Sequence, residues 1–509
     1  MYKPIIGLEI HVELNTKSKM FCSCRNNPNA GIPNSEICPI CLGHPGTLPV
    51  INKEAVRKVI KTGLALNCRV SEYSKFDRKN YFYPDLPKGY QISQEYMPLC
   101  RNGYLKITGR KNLDFRAVGE YPRKIRIRNI HLEEDVGKLI HPQGKDYSLV
   151  DFNRAGIPLM ELVTEPDLRG AKETRRFAEE FQLILRYLGV SEADMEKGQF
   201  RVEANISLLP FTPESKFGME AKLGTKVEIK NLNSFRSVER AINYEVKRQT
   251  DILNSGKKVI QETRGWSEVR GITFSQRTKE EAHDYRYFPE PDLPPLHITN
   301  QVIREILTEI PEFPYQRRIR FKKEYEIGDK EIEIFVQNKD LGEYFEKVMS
   351  ELRNWVKEAE MKKNVEREEF LKLIKLGSNY LITDLQGLLK KSGIYDEDFM
   401  ITPENFAEFI TLIYQGKISS KIAKDVLEEM FSTGADPSHI IEEKGLVQIT
   451  DEAEIEKVIK EVISKNQKAV DDFHKGKSNA FQFLIGQIMI LTKGKASPNL
   501  VNKILRKLL

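Results

Sequence analysis

Gly7-Leu8-Glu9-Ile10-His11-Val12-Glu13-Leu14 decides the reading of the chain. Successive side chains of a strand point to opposite faces. Leu8, Ile10, Val12 and Leu14 therefore make one face and Glu9, His11 and Glu13 the other. The first face can enter a core. The second sets two carboxylates and an imidazole along one strand at steps of roughly 7 Å, a start for a divalent-cation site. A half-buried edge strand with a solvated polar face alternates in the same way. The stretch gains weight because three later strands repeat it.

The second such strand is Lys124 to Lys138. Ile125 and Ile127 alternate with Arg126 and Arg128, the pattern slips at Asn129, and Ile130 and Leu132 then alternate with His131 and Glu133 before Glu134 and Asp135. Such a slip predicts a bulge, which often re-aims side chains beside an active site. The third, Gln199 to Leu208, opposes Phe200, Val202, Ala204, Ile206 and Leu208 to Arg201, Glu203, Asn205 and Ser207; the fourth, Lys226 to Lys230, opposes Val227 and Ile229 to Lys226, Glu228 and Lys230. Glu9, His11, Glu134, Glu203 and Glu228 on one sheet face would repel one another unless cations sat among them, and hard oxygen ligands favour Mg²⁺. Lys230, Arg201 and Arg154 add donors for phosphate oxygens, so the set suits a nucleotide bridged by metal ions better than a hydrolytic carboxylate pair. A solvated face laced with salt bridges is the alternative. Gly476-Lys477-Ser478 lacks the earlier glycine of a phosphate-binding loop, position 471 being Asp, so an ATP site here must be built on the sheet.

The chain has 509 residues, which favours two to four domains. Lys and Arg number 80 against 74 Asp and Glu, a mildly basic balance that permits a nucleic-acid partner without demanding one. With no secretory start and no apolar run long enough to cross a bilayer, the expected location is cytoplasmic, without a membrane partner. Cys22-x-Cys24 and Cys38-x-x-Cys41, set among Asn, Pro and Gly, suit a tetrahedral structural zinc; unrelated buried thiols or two disulfides remain the alternatives. Cys68 and Cys100 read as small core residues. Between Phe76 and Gln91, five aromatics interleave with Pro, Gly and charges, so the segment is expected to lack regular structure and either to stack on a base or to pack over a sheet.

With these residues in hand, the chain resembles a known family, the B subunits of the aspartyl/glutamyl-tRNA(Asn/Gln) amidotransferases. The matching stretches are Gly7 to Leu14, Phe76 to Gln91, His131 to Lys138, Asp151 to Pro158, Val227 to Phe235, Gln261 to Arg264 and Asp284 to Asp292, in family order, with similarity running on to Leu509. The resemblance implies an α+β protein whose β-rich cradle, residues 1–291, is related to glutamine synthetase catalytic domains. A helical domain, 292–401, and a YqeY-like all-α tail, 402–509, would follow. It implies a carbon–nitrogen ligase using ATP and glutamine: the side-chain carboxylate of Glu-tRNA(Gln) or Asp-tRNA(Asn) is phosphorylated and then amidated. It implies Glu9, His11 and Glu134 as Mg²⁺ ligands, a catalytic set extended by Glu203, Glu228 and Lys230, and Lys79, Lys88, Arg154 and Arg201 on the cofactor side. Lys79, Lys88 and Glu134 would also line the mouth of an ammonia tunnel from an amidase (glutaminase) subunit, in a heterotrimer completed by a small third subunit. Many members carry Asp at the position of Glu203, and some lack the four cysteines, so zinc is read from this chain's own thiols.

The C-terminal part reads as helices. Thr402-Pro403 has the order of an N-cap followed by an N1 proline. After Asp451, Ile455, Val458, Ile459, Val462 and Ile463 keep one apolar face. Lys475, Lys477, Lys493 and Lys495 belong to a strongly basic terminus expected to contact tRNA phosphates, an ordinary solvated face being the alternative. A tRNA-binding scaffold that leaves all chemistry to a partner is the competing function; it gives no reason to line a sheet face with acids.

Overall fold

The computed structural model describes residues 2–107, 123–210, 223–278, 285–358, 363–389, 393–394, 399–446, 451–492, 495–496 and 498–509. They form two compact units, Met1–Phe313 and Pro314–Leu509. The first is built on a nine-stranded sheet. Its strands, in chain order, are β1 (Tyr2–Glu13), β2 (Arg69–Val70), β3 (Cys100–Ile107), β4 (Arg123–Glu134), β5 (Pro158–Thr164), β6 (Phe200–Pro210), β7 (Val227–Leu232), β8 (Glu262–Ser267) and β9 (Ile272–Thr278). The spatial order is β9-β8-β7-β6-β1-β5-β4-β3-β2. Only β7 and β8 run parallel.

The alternation in β1 is realised: Leu8, Ile10, Val12 and Leu14 are at most 1% exposed. They pack with helices α1 (Lys53–Ala65), α2 (Ala171–Leu188) and α3 (Phe235–Asn254) on one face of the sheet. The helices start where side chains can cap them. Asn52 Oδ1 accepts the amides of Glu54 and Ala55 for α1, and Ser234 Oγ accepts that of Ser237 for α3. Gly189, at φ 65°, closes α2 in the left-handed conformation that L side chains avoid. The slip read at Asn129 is a register shift: Val163 faces Asn129 but Thr164 faces Ile127, leaving Arg128 unmatched. Thr164 Oγ1 accepts the amide of Leu8 at 2.8 Å, so the ladder closes across the irregularity.

Two expectations need correction. Phe76–Gln91 is not without regular structure. Asp77–Asn80 and Tyr90–Ser93 form strands of a small sheet with Phe288–Pro289. The ordering partner lies some two hundred residues away, where Glu290 receives the Arg78 guanidinium through two hydrogen bonds. The cradle also continues past residue 291. Leu296–His297 pairs with Tyr73–Ser74, and Leu293, Ile298 and Ile306 join the first unit's core.

The second unit is helical. Thr402 Oγ1 caps the helix Pro403–Tyr414 as its sequence predicts, and the Tyr344 hydroxyl donates to the Ile401 and Thr402 carbonyls. These bonds tie the helix that carries Tyr344 to the start of the one that follows residue 402. Ile455, Ile459 and Val462 start a separate apolar cluster completed by Phe481, Leu484, Ile488, Val501 and Leu505. No described helix is long and apolar enough to cross a membrane.

Candidate functional site

The site grows from pairing across the sheet. Arg201 faces His11, His11 faces Glu161, and Glu161 faces His131, so four adjacent strands place these residues in one row on the face opposite the helices. His11 Nε2 and His131 Nε2 both lie 3.3 Å from Glu161 Oε2, and Glu133 stands 3.8 Å from the first and 3.9 Å from the second. Among the described residues, none hydrogen-bonds the buried His131 Nδ1. Burial alone would raise the Glu161 carboxyl, but His131 and His11 outweigh it and hold it well below the usual range. Burial likewise opposes a charged His11, yet Glu161 and Glu133 lift it to about 9.

One step along β1, Glu9 faces Glu203 across the ladder. The Glu9 carboxyl is pushed up to about 7 by burial, then by Glu161 and Glu203. Lys230 Nζ sits 2.9 Å from Glu203 and 3.7 Å from Glu228, and Glu228 Oε2 accepts the Thr263 hydroxyl at 2.7 Å. Ligand atoms of Glu9, His11 and Glu161 lie within 4.8 Å of one another, as do those of Glu9, Glu203 and Glu228, and of His131, Glu133 and Glu161. Glu9 thus links two groups. Ligands around one Mg²⁺ lie about 3–4 Å apart, so these carboxylate-rich groups fit a hard cation after small side-chain movements.

The other residues expected here divide. Lys79 flanks the row: burial works against its charge, but Glu133, Tyr287 and Glu161 outweigh that and hold the ammonium above its usual range, and its Nζ lies 5.2 Å over the Tyr285 ring. Arg154 and Arg201 converge on Asp135, at 3.3 and 3.1 Å, and so hold a buried carboxylate. Glu134 is not brought to Glu9 and His11. It follows Glu133 by one residue on β4 and so takes the opposite parity, where it accepts the Ile92 amide at 3.0 Å and pairs with Lys88. The acids that do meet His11 are Glu161 and Glu133. Glu161 escapes notice in the sequence because its strand, Pro158-Leu-Met-Glu-Leu-Val-Thr164, lacks polar alternation. The available signal was that lone acid in an apolar run, a charge that burial penalises unless it is paired.

Cys22, Cys24, Cys38 and Cys41 come together, with Cys41 Sγ 3.5 Å from Cys38 Sγ and 3.9 Å from Cys24 Sγ. A tetrahedron with Zn–S near 2.3 Å has edges of about 3.8 Å, a length these two separations bracket, so the four thiols suit zinc. The Cys22 hydrogen bond, against burial and with help from Lys19, brings the Cys41 thiol down to about 4. Cys68 and Cys100 are buried in the core away from this group.

In the second unit, Lys475 and Lys477 are exposed, Lys477 pairing with Asp472 at 2.9 Å, and Lys495 Nζ donates to the Gly445 carbonyl at 2.6 Å. Lys493 lies outside the described residues.

A family model described as the GatB/GatE catalytic domain matches residues 4–304, and one described as the GatB domain matches residues 365–509. The aspartyl/glutamyl-tRNA(Asn/Gln) amidotransferase B subunit of Caldicellulosiruptor saccharolyticus is 49% identical over 509 residues, 99% of this chain and 98% of that protein. Its counterpart in Persephonella marina is 48% identical over 508 residues, covering 100% and 99% of the two chains. That of Thermotoga maritima is 46% identical over 512 aligned residues, again 100% and 99%. With both family models matched and near-half identity sustained from end to end, the chain belongs to the family of aspartyl/glutamyl-tRNA(Asn/Gln) amidotransferase B subunits.

Proposed function

We propose that the cradle activates the side-chain carboxylate of Glu-tRNA(Gln), Asp-tRNA(Asn) or both with ATP, and that ammonia from a glutaminase partner then displaces phosphate to give the amide. The observation that carries this is the row His11–Glu161–His131, joined through Glu9 to Glu203, Glu228 and Lys230 on one sheet face. Ammonia does not displace oxide from a carboxylate at neutral pH, so the oxygen must first be made a leaving group. Mg²⁺, held by Glu9, His11 and Glu161 with Glu203 and Glu228 beside them, would shield the phosphate oxygens.

The chain's own residues then have distinct tasks. Lys230 and Lys79 stand on two sides of the acids, where they can hold phosphate and carboxylate oxygens at close range. Glu161 keeps His11 and His131 fixed between carboxylates, so that reacting groups enter a site already oriented. Arg154 and Arg201 neutralise Asp135, which leaves the end of β4 in place beside the row. The relatives' designation as one lettered subunit of an amidotransferase supports assembly with others; an amidase (glutaminase) subunit together with a small third subunit, in a heterotrimer, are the partners proposed. Cys22, Cys24, Cys38 and Cys41 would hold a structural zinc, and the basic terminus would hold tRNA phosphates.

The test is ADP formation by the assembled complex given ATP, Mg²⁺ and misacylated tRNA, with each tRNA tried separately. We expect ADP to form only when misacylated tRNA is present. ADP formation that ignores the tRNA, or none in the complete mixture, would overturn the reading and leave a tRNA-binding scaffold.

A further inference from the structure

The four-cysteine group adjoins a lysine whose chemistry is otherwise unexplained. Lys19 is 0% exposed. Among the described residues no carboxylate lies within ion-pair distance of it; its Nζ donates to the carbonyls of Glu36, at 2.7 Å, and Phe152, at 3.3 Å. A buried ammonium with neutral acceptors alone is a costly arrangement unless an anion stands near. The nearest source is the thiolate group. A divalent ion on four thiolates leaves a net charge of roughly −2, which needs compensation as much as the lysine does.

The packing places the two together. The Lys19 amide donates to the Cys24 carbonyl at 2.9 Å. A Cβ added to Gly156, which sits at φ 84°, would lie 3.6 Å from both the Cys41 Cβ and the Lys19 Cδ. The Met20 amide donates to the Gly156 carbonyl at 2.7 Å, and the Gly156 amide to the Asp135 carbonyl at 2.9 Å. Lys19 is therefore bonded both to the cysteine loop, through its amide, and to the segment 152–157, through its Nζ; that segment carries Arg154 and abuts Asp135.

We propose that Lys19 is the counter-charge of a zinc tetrathiolate at Cys22, Cys24, Cys38 and Cys41, and a positioning residue that ties this centre to the Phe152–Ile157 segment. The proposal rests on the zinc reading of the cysteines. The buried lysine then has an anion beside it, and the loaded centre keeps the excess charge that four thiolates create. Lys19 touches no reacting group and acts only through the metal centre and the segment beside it.

The test uses the full-length chain purified with its metal. Zinc release to a colorimetric chelator is followed for the native chain and for Lys19→Met, Lys19→Gln and Lys19→Arg. Removing an outer partner of a metal centre weakens binding roughly 10- to 100-fold. Release should accelerate by that order in Lys19→Met and Lys19→Gln and stay near native in Lys19→Arg, which keeps the charge. Equal release rates for native and Lys19→Met, or Lys19→Arg as fast as Lys19→Met, would overturn the proposal. A native chain without one zinc would instead remove the reading it rests on. Should the Met and Gln variants not fold, hydrogen exchange on the native chain decides. Protection at the Met20 and Gly156 amides should fall when zinc is stripped, and unchanged protection overturns the tie.

Discussion

The cradle holds two groups of candidate metal ligands that are built in opposite ways. The four cysteines come from two short turns within twenty residues of one another, and their sulfurs meet through local loop geometry. The acid and imidazole row draws one or two residues from each of several strands, so that His11, Glu161 and His131 become neighbours although they stand far apart in the chain. The first group is a property of a segment, the second of a sheet register. A loop cluster is expected to fail locally when a ligand is lost. A row fixed by register is expected to fail electrostatically, with every neighbour left in an altered field.

The largest effect should come from the centre of the row. Glu161→Gln removes the anion shared by His11 and His131, and we expect the ATP-dependent step to fall about 10³-fold, roughly 4 kcal/mol in the barrier. Stability should fall by about 3 kcal/mol, as for other buried ion pairs that lose one member. Single-turnover ADP formation in the complex and urea unfolding of the chain measure the two. Glu134→Gln, whose partner is Lys88, should lose less than about tenfold; equal losses at the two positions would mean that strand parity does not separate the site from its flank.

Cys38→Ser should come next. One zinc per chain should disappear and Cys22–Cys41 should loosen, while ATP affinity stays within about threefold, because Arg201 still holds Asp135. Metal analysis and nucleotide titration check this. A collapse of nucleotide binding would show the loop cluster and the sheet row to be one cooperative unit.

A third, smaller effect is the pH dependence of the chain without Mg²⁺. His11, raised to about 9 by its carboxylate neighbours, contributes stability that is complete below its unfolded value and lost as pH rises through its folded value. Glu9, raised to about 7, holds its proton longer when folded and so also favours the folded state at lower pH. Both signs agree. Stability should drop by on the order of 2 kcal/mol from pH 6 to pH 9.5, and His11→Gln should flatten the upper part of that slope. Melting curves at several pH values decide it, and a flat profile in the native chain would contradict the charge balance described for the row.

The smallest effect belongs to the second unit. Lys475→Ala and Lys477→Ala should each lower the salt slope of aminoacyl-tRNA binding by about 1 and raise KM for tRNA with little change in kcat. Unchanged slopes would identify a solvated face. Such contacts depend on no sheet register, since these lysines stand at helix ends of the second unit.

Residue order determined much of this protein. The alternation in Gly7–Leu14 separated core from polar face, the slip at Asn129 announced the irregularity opposite Val163 and Thr164, and Thr402-Pro403 marked a helix start. The cysteine spacing brought out a group whose sulfurs do converge. These features are local: each depends on residues within a turn, a strand or a short loop. Tertiary structure alone decided that Glu161 and Glu133, and not Glu134, meet His11, that Glu290 orders the Arg78 strand, and that the cradle's core extends to Phe313. A strand carries its own parity in its sequence, but which strand lies beside it, and in what register, is set by the packing of the whole sheet.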